Sequence, residues 1–181
     1  MTRFDDLFAI YARRGSEAYF GEAVTMMQHG LQAAYFARKH GAGDALITAA
    51  LLHDVGHLIE PAPDDIADWK SDAGHERTGG AWLAERFGAG VSEPVRLHVA
   101  AKRYLCATDR AYFRRLSEAS VITLKLQGGP MSPAEVASFE SEPGCHDAVL
   151  LRQWDDQGKI IGLTTPPFES YRAMIEKLER R

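Results

Sequence analysis

No apolar run in this sequence approaches the ~20 residues that a membrane span requires; the stretch Ala49-Ala50-Leu51-Leu52 is typical of what is present. A secretory start is also lacking, because Arg3, Asp5 and Asp6 interrupt the N-terminus, and a cytoplasmic protein is expected. Cysteine is scarce. Cys106 and Cys145 stand alone without CxxC spacing, so a disulfide scaffold is not needed and free thiols in a reducing compartment are expected over a disulfide or metal pair. Basic clusters are absent as well: net charge is −4 and the Lys and Arg residues are dispersed, so the footprint of a nucleic-acid binder is missing and a small substrate is favoured. No Gly-rich dinucleotide fingerprint, internal repeat, low-complexity tract or linker interrupts the 181 residues, a length suited to one domain.

Strand-like alternation between hairpin turns is also missing, and helical spacing dominates, so an all-α fold is expected. A first helix fits Arg3 to Arg14, followed by a loop through Tyr19 and Gly21 into a second that closes near His40-Gly41. A third begins at an Asp44 cap and stops near Gly56. After a loop with Pro61 and Pro63, Ser71 or Asp72 caps a helix running to Phe87-Gly88. Ser92-Glu93-Pro94 reads as the next start, and Asp109–Leu116 and Ser117–Leu126 fit two more helices before the break at Gly128-Gly129-Pro130. Ser132 and Glu135 have capping-box spacing; Pro143-Gly144 ends that helix, another runs to about Trp154, and Phe168–Arg180 closes the chain after a loop from Gly158 to Pro167.

What the sequence does have is a series of imidazoles and carboxylates near the ends or inner faces of successive helices: His29, His53, Asp54, His75, His98 and Asp155, at intervals of 24, 1, 21, 23 and 57 residues. Borderline metal ions bind such donors. Adjacent helical side chains diverge by ~100°, so His53 and Asp54 meet one site most easily at a helix end, where the carboxylate can bridge two ions. Any one histidine alone reads equally as a surface or core residue, and His40 and His146 have no place in the series.

The order H…HD…H…H…D resembles the HD-domain superfamily of metal-dependent phosphohydrolases and oxygenases, which implies a single HD domain over residues 1–181, a helical bundle with a dinuclear site in its core. The resemblance implies that His29, His53, Asp54 and Asp155 hold one ion, and that Asp54, His75 and His98 hold the second. Tyr19-Phe20-Gly21-Glu22-Ala23, the stretch Ala49 to His57, His98 to Leu105, Gln127 to Met131, and Trp154-Asp155 with Gly158-Lys159 carry a closer resemblance. Over nearly the whole chain the sequence is similar to the phosphonate-cleaving mixed-valent di-iron oxygenases, relatives of myo-inositol oxygenase that act on 2-amino-1-hydroxyethylphosphonate.

Phosphonate capture also has a case in the spacing. Lys102 lies one turn after His98 and Arg152 three residues before Asp155, so each cation shares a face with a ligand. The resemblance assigns His57, Lys102, Ser120 and Arg152 to the phosphonate, and Thr123 adds a neighbouring hydroxyl. Glu22 falls in an i, i+4, i+7 stripe with Met26 and His29. By resemblance Tyr19 caps the second iron at rest, and Glu22 engages the substrate's cationic nitrogen, releasing Tyr19 and opening a position for O2.

The expected activity is O2-dependent cleavage of the C–P bond of a 1-hydroxyalkylphosphonate in phosphonate catabolism, at a mixed-valent Fe(II)/Fe(III) pair. A separate hydroxylating enzyme is expected to supply the substrate. The 2-amino compound would give glycine and phosphate, and its 2-trimethylamino analogue glycine betaine and phosphate. A trimethylammonium is better held by aromatic faces with a carboxylate; Tyr19, Phe20, Tyr35, Trp82 and Tyr104 are candidates. An HD-type phosphohydrolase acting on a nucleotide or phosphomonoester is the alternative enzyme, and a metal-binding scaffold without turnover the alternative class.

Overall fold

The computed structural model describes residues 3–59 and 74–180, and no strand occurs among them. The helices are α1 (Arg3–Arg14), α2 (Met26–Lys39), α3 (Asp44–Leu52), α4 (Val55–Ile59), α5 (His75–Ala84), α6 (Ala89–Thr108), α7 (Glu118–Leu126), α8 (Pro133–Glu140), α9 (Cys145–Gln157) and α10 (Arg172–Leu178), with 3-10 turns at Phe113–Arg115 and Phe168–Tyr171. None is long and apolar enough to cross a membrane.

Local chemistry sets the boundaries. A reciprocal capping box between Thr25 and Gln28 starts α2 at Met26, and Ser132 with Glu135 starts α8 in the same way; Ser117 caps α7. Four sequence expectations shift. Gly43 caps α3, with Asp44 its first residue, and Gly56 lies inside the short α4 instead of ending a helix, because the break falls earlier, at His53-Asp54. Helix α6 begins at Ala89 after Gly88; Pro94 sits in its second turn, where its missing N–H deprives only the Gly90 carbonyl of a helical partner. Asp109–Leu116 is not an α-helix: α6 runs on to Thr108, Asp109 turns extended, and its carboxylate accepts from Ala111 N at 2.8 Å, leaving one 3-10 turn. The Pro61–Pro63 loop and the caps at Ser71 or Asp72 lie outside the described residues.

Helix α3 forms the centre of the bundle. Every residue from Leu46 to Leu52 is buried, so it is apolar all round, packed between α2, α6 and α9, with α10 also against it. Truncating Leu51 or Leu52 to Ala would cost ~2–5 kcal/mol. The α2–α3 crossing is close because Gly30 has no side chain: a Cβ there would lie 2.6 Å from the Leu51 carbonyl oxygen. This contact holds His29, next to Gly30, against the end of α3 that carries His53. Helix α5 packs on α4 and α6, while α1 and α10 close the far end around Phe4, Phe168 and Ile175.

Candidate dinuclear metal centre

Each candidate ligand is fixed by its position in a helix. His29 lies in the first turn of α2; His53 ends α3, and Asp54 follows in the two-residue turn before α4. His75 opens α5 just after Gly74, whose φ of +70° turns the chain sharply into the helix. His98 lies in the middle of α6 and Asp155 in the last turn of α9. All six are buried.

Asp54 divides its carboxylate between two groups. Oδ2 lies 3.2 Å from His53 Nε2 and 3.5 Å from His29 Nε2, while Oδ1 lies 3.4 Å from His75 Nε2 and 3.7 Å from His98 Nε2. Asp155 Oδ1 joins the first group, 3.2 Å from His29 Nε2 and 3.8 Å from His53 Nε2. The structure thus brings His29, His53 and Asp54 within 4.8 Å of one another, and Asp54, His75 and His98 likewise.

The donors fit metal ions on a specific ground. His29 Nδ1 contacts the Gly158 carbonyl at 2.9 Å, His53 Nδ1 that of Ala50 at 2.9 Å and His98 Nδ1 that of Val95 at 2.7 Å. Each carbonyl faces Nδ1 and so leaves Nε2 as the ring nitrogen turned toward the centre, the one that would bind a metal ion. Yet His29 Nε2 and His53 Nε2 face each other at 3.1 Å, and His75 Nε2 and His98 Nε2 at 3.2 Å. Asp54 Oδ2 and Asp155 Oδ1 are buried beside them and receive no well-formed hydrogen bond. Lone pairs converging on buried carboxylate oxygens require a cation.

Protonation follows the same field. Burial alone would lower His53, but Asp54 and Asp155 push it up to about 9, so in the metal-free protein a proton serves as the cation there. Burial, with His75 and His53 adding to it, pushes His98 down to about 3. Burial opposes ionisation of Asp54 and Asp155, yet His53 holds the first and Arg152 the second well below the usual carboxylate range.

A pocket opens over the second group. Tyr19, Glu22, His57, Lys102, Ser120, Thr123 and Arg152 all line it, together with Phe20, Gln127 and Lys159. Tyr19 stacks on His29 with centroids 3.8 Å apart, and its hydroxyl reaches Asp54; burial and that carboxylate hold it as a phenol well above its usual range. His57 stacks on His75 at 3.8 Å, and burial, followed by His75, keeps it neutral. Buried Lys102 donates to Thr123 Oγ1 at 2.8 Å.

Three features differ from the sequence reading. Glu22 does not lie on a helical stripe with Met26 and His29, because the Thr25 box starts α2 after it; it reaches the pocket from the preceding loop, where Glu22 N donates to Tyr19 O at 2.7 Å. Arg152 is already bound. Its Nη1 lies 2.7 Å from Asp155 Oδ2, its Nε donates to Tyr112 Oη at 3.1 Å, and it grips Asp156, which Tyr112 also contacts. Among the candidate aromatics only Tyr19 and Phe20 line the pocket: Tyr104 packs on Phe139 and donates to Glu140, and Trp82 lies under Arg86. His40 and His146 are exposed, outside the centre.

Sequence reasoning also missed residues. Lys159 was legible only as part of a matching stretch and Ser117 only as a cap, yet Lys159 Nζ lies 3.0 Å from Glu22 Oε1, to which Ser117 Oγ also donates at 2.6 Å. These two bonds lower Glu22 against the opposing effect of burial. Tyr112 and Asp156 gave no signal, since their role exists only through Arg152.

Comparison with known proteins agrees with this arrangement. The family profile described as HD domain matches residues 26–126. The [1-hydroxy-2-(trimethylamino)ethyl]phosphonate dioxygenase (glycine-betaine-forming) of Leisingera caerulea is 44% identical over 169 residues, covering 93% of this chain and 86% of that protein. The hydroxymethylphosphonate dioxygenase of Gimesia maris is 44% identical over 179 residues, covering 96% of this chain and 87% of that protein.

Proposed function

Starting from a chain that belongs to the HD-domain family and is similar along nearly its whole length to phosphonate dioxygenases, we propose that it is a di-iron oxygenase that cleaves the C–P bond of a 1-hydroxyalkylphosphonate with O2. The observation that carries this reading is the single carboxylate of Asp54, which serves two histidine groups beside a pocket lined with cations and hydroxyls. His29, His53, Asp54 and Asp155 would hold one iron and Asp54, His75 and His98 the other. When bound, a mixed-valent pair supplies Lewis acidity toward the substrate's oxygens and a redox partner for O2.

The protein's own groups do the rest. Lys102, Ser120 and neutral His57 offer donors to the phosphonate; Thr123, whose hydroxyl donates to the Ser120 carbonyl at 3.1 Å and accepts from Lys102, positions that ammonium instead. Arg152 adds positive field, and with one N–H of each Nη already given to Asp155 or Asp156, one on each remains for the substrate. Its ion pair also fixes the orientation of the ligand Asp155. Tyr19, a phenol lying against Asp54, shields the centre before substrate enters, and Glu22 faces the substituent on the second carbon.

The stoichiometry closes without a nicotinamide or flavin. A 1-hydroxyphosphonate plus one O2 gives the corresponding carboxylate and inorganic phosphate, with all four electrons drawn from the substrate: glycine from the amino compound, glycine betaine from the trimethylamino one, formate from hydroxymethylphosphonate. An enzyme that hydroxylates phosphonates at C1 must supply the substrate, in the reducing cytoplasm that the free thiols Cys106 and Cys145 suit.

Aerobic incubation of the iron-loaded protein with each of the three substrates, following phosphate, organic acid and O2 uptake, tests the proposal. One phosphate released per O2 consumed is expected. Equal phosphate release under anaerobic conditions would replace it with a hydrolase.

A further inference from the structure

Arg152 is held in place by two residues outside the metal centre, Tyr112 and Asp156. Asp109 ends α6 by turning its carboxylate onto Ala111 N at 2.8 Å, and Tyr112 N then donates to the Asp109 carbonyl at 3.0 Å. This turn drives Tyr112 inward, 4% exposed, while Phe113 and Arg114 beside it stay in solvent. Arg115 lies over the Tyr112 ring at 5.8 Å and pairs with Asp109 at 3.2 Å. Inside, Tyr112 Oη accepts from Arg152 Nε at 3.1 Å and donates to Asp156 Oδ2, while Asp156 grips Arg152 through Nε and Nη2. Burial holds the phenol above its usual range, so it keeps the proton that it donates to Asp156.

We propose that Tyr112 is a positioning residue for phosphonate capture: with Asp156 it closes one edge of the Arg152 guanidinium and fixes which two N–H groups are left for the substrate. This rests on the reading of the pocket as a phosphonate site. A guanidinium has five N–H groups. Tyr112 and Asp156 share the one on Nε, Asp156 takes one on Nη2, and Asp155 takes one on Nη1 at 2.7 Å. One on each terminal nitrogen remains, the pair that a tetrahedral oxyanion accepts as a fork, and Arg152 lines the pocket. Asp156 alone is a poorer guide, because its side chain is 21% exposed and water competes for it, whereas the Tyr112 hydroxyl is placed by a buried ring. Without that hydroxyl, Arg152 keeps its charge and its pairing with Asp155 but loses its bond to a fixed acceptor. It then has more than one orientation, and phosphonate binding must select among them.

The experiment compares native protein, Tyr112→Phe, Arg152→Lys and the double variant, all iron-loaded and checked for iron content and Tm. Hydroxymethylphosphonate is the probe, because it has no second carbon and reports on the phosphonate end alone. Anaerobic calorimetry gives its Kd, and aerobic kinetics give kcat/KM. Tyr112→Phe keeps the ring, so native iron content is expected. Its Kd should rise ~10-fold, the scale of one hydrogen bond to a charged group, with kcat/KM falling at least as far. Arg152→Lys should bind more weakly still, since an ammonium has no planar fork to orient, and adding Tyr112→Phe to it should change Kd by less than about twofold. Native affinity in Tyr112→Phe, an equal loss in the Arg152→Lys background, or loss of iron from Tyr112→Phe overturns the proposal. Binding that follows the expected pattern without O2-dependent phosphate release overturns the oxygenase reading and leaves the role of Tyr112 standing; failure of the native protein to bind the probe or either two-carbon substrate overturns both.

Discussion

Gly56 is the place where a single methyl group should remove one metal ion and spare the other. A Cβ built there lies 2.1 Å from the His75 carbonyl oxygen and 2.8 Å from the His75 carbonyl carbon, whereas ordinary contact begins at 3.4 Å. In Gly56→Ala the backbone of α4 and the start of α5 must therefore separate by about 1.3 Å at that point. Both partners are backbone, so no side-chain rotation relieves the clash. Metal–ligand distances tolerate only ~0.2 Å, so His75 moves out of reach of a shared ion, and His57, stacked on it at 3.8 Å, loses its support. His29, His53 and Asp155 lie on α2, α3 and α9, away from the disturbance.

The overlap should cost about 1–3 kcal/mol, which for a chain of this size lowers Tm by roughly 2–12 °C. Iron analysis of the folded variant should find one ion per chain instead of two, with the remaining ion held by the His29 group. Gly43→Ala is the control: φ is −72° there and nothing lies within 4 Å of the added methyl, so both ions are expected, with Tm lowered only by the loss of a good N-cap, ~1 kcal/mol or less. Gly56→Ala protein with two ions at native affinity and an unchanged Tm would refute the reasoning.

Other consequences follow from the same geometry. Because Asp54 and Asp155 raise His53 to about 9 against the effect of burial, metal must displace a proton; affinity measured by chelator competition should rise about tenfold per pH unit from pH 7 and level off near 9, and a flat profile would contradict the assignment. The sign for the metal-free protein is the opposite: protonated His53 contributes stability that is fully present below its ordinary value of 6.5 and is lost as pH rises through about 9. Lys102→Ala should weaken phosphonate binding on the order of 10–100-fold with iron content unchanged; loss of iron would show that Lys102 supports the centre instead. Asp156→Ala releases Arg152 from one of its two carboxylates, and the looser hold on Asp155 should weaken the ion in the His29 group roughly 10–100-fold by chelator competition while leaving the His75 group intact.

The residues that could be read from sequence share a property: their roles depend on local backbone. His53 and Asp54 mark a helix end directly after a buried apolar run, and Thr25 and Ser132 open helices with partners three residues away. Where a local signal misled, a stronger local one overruled it. Gly88 starts α6 ahead of the Ser92-Glu93-Pro94 signal, and the Asp109 side chain takes the Ala111 amide and prevents the helix that composition suggested. The rest of the pocket lining was harder to read because its pairings span the chain. Glu22 meets Ser117 across 95 residues and Lys159 across 137, and Arg152 meets Tyr112 across 40.

This difference separates two kinds of charge in one pocket. Arg152 and Asp155 are three residues apart on α9, so a candidate ligand and the cation paired with it come together on a single helix face. Glu22 and Lys159 come from loops at opposite ends of the chain and meet only when α2 and α9 pack, with Gly158 and Gln32 fixing the approach. The candidate metal centre is thus encoded by positions along helices, whereas the Glu22–Lys159 ion pair beside it is specified by neither loop alone and exists only once the helices have packed.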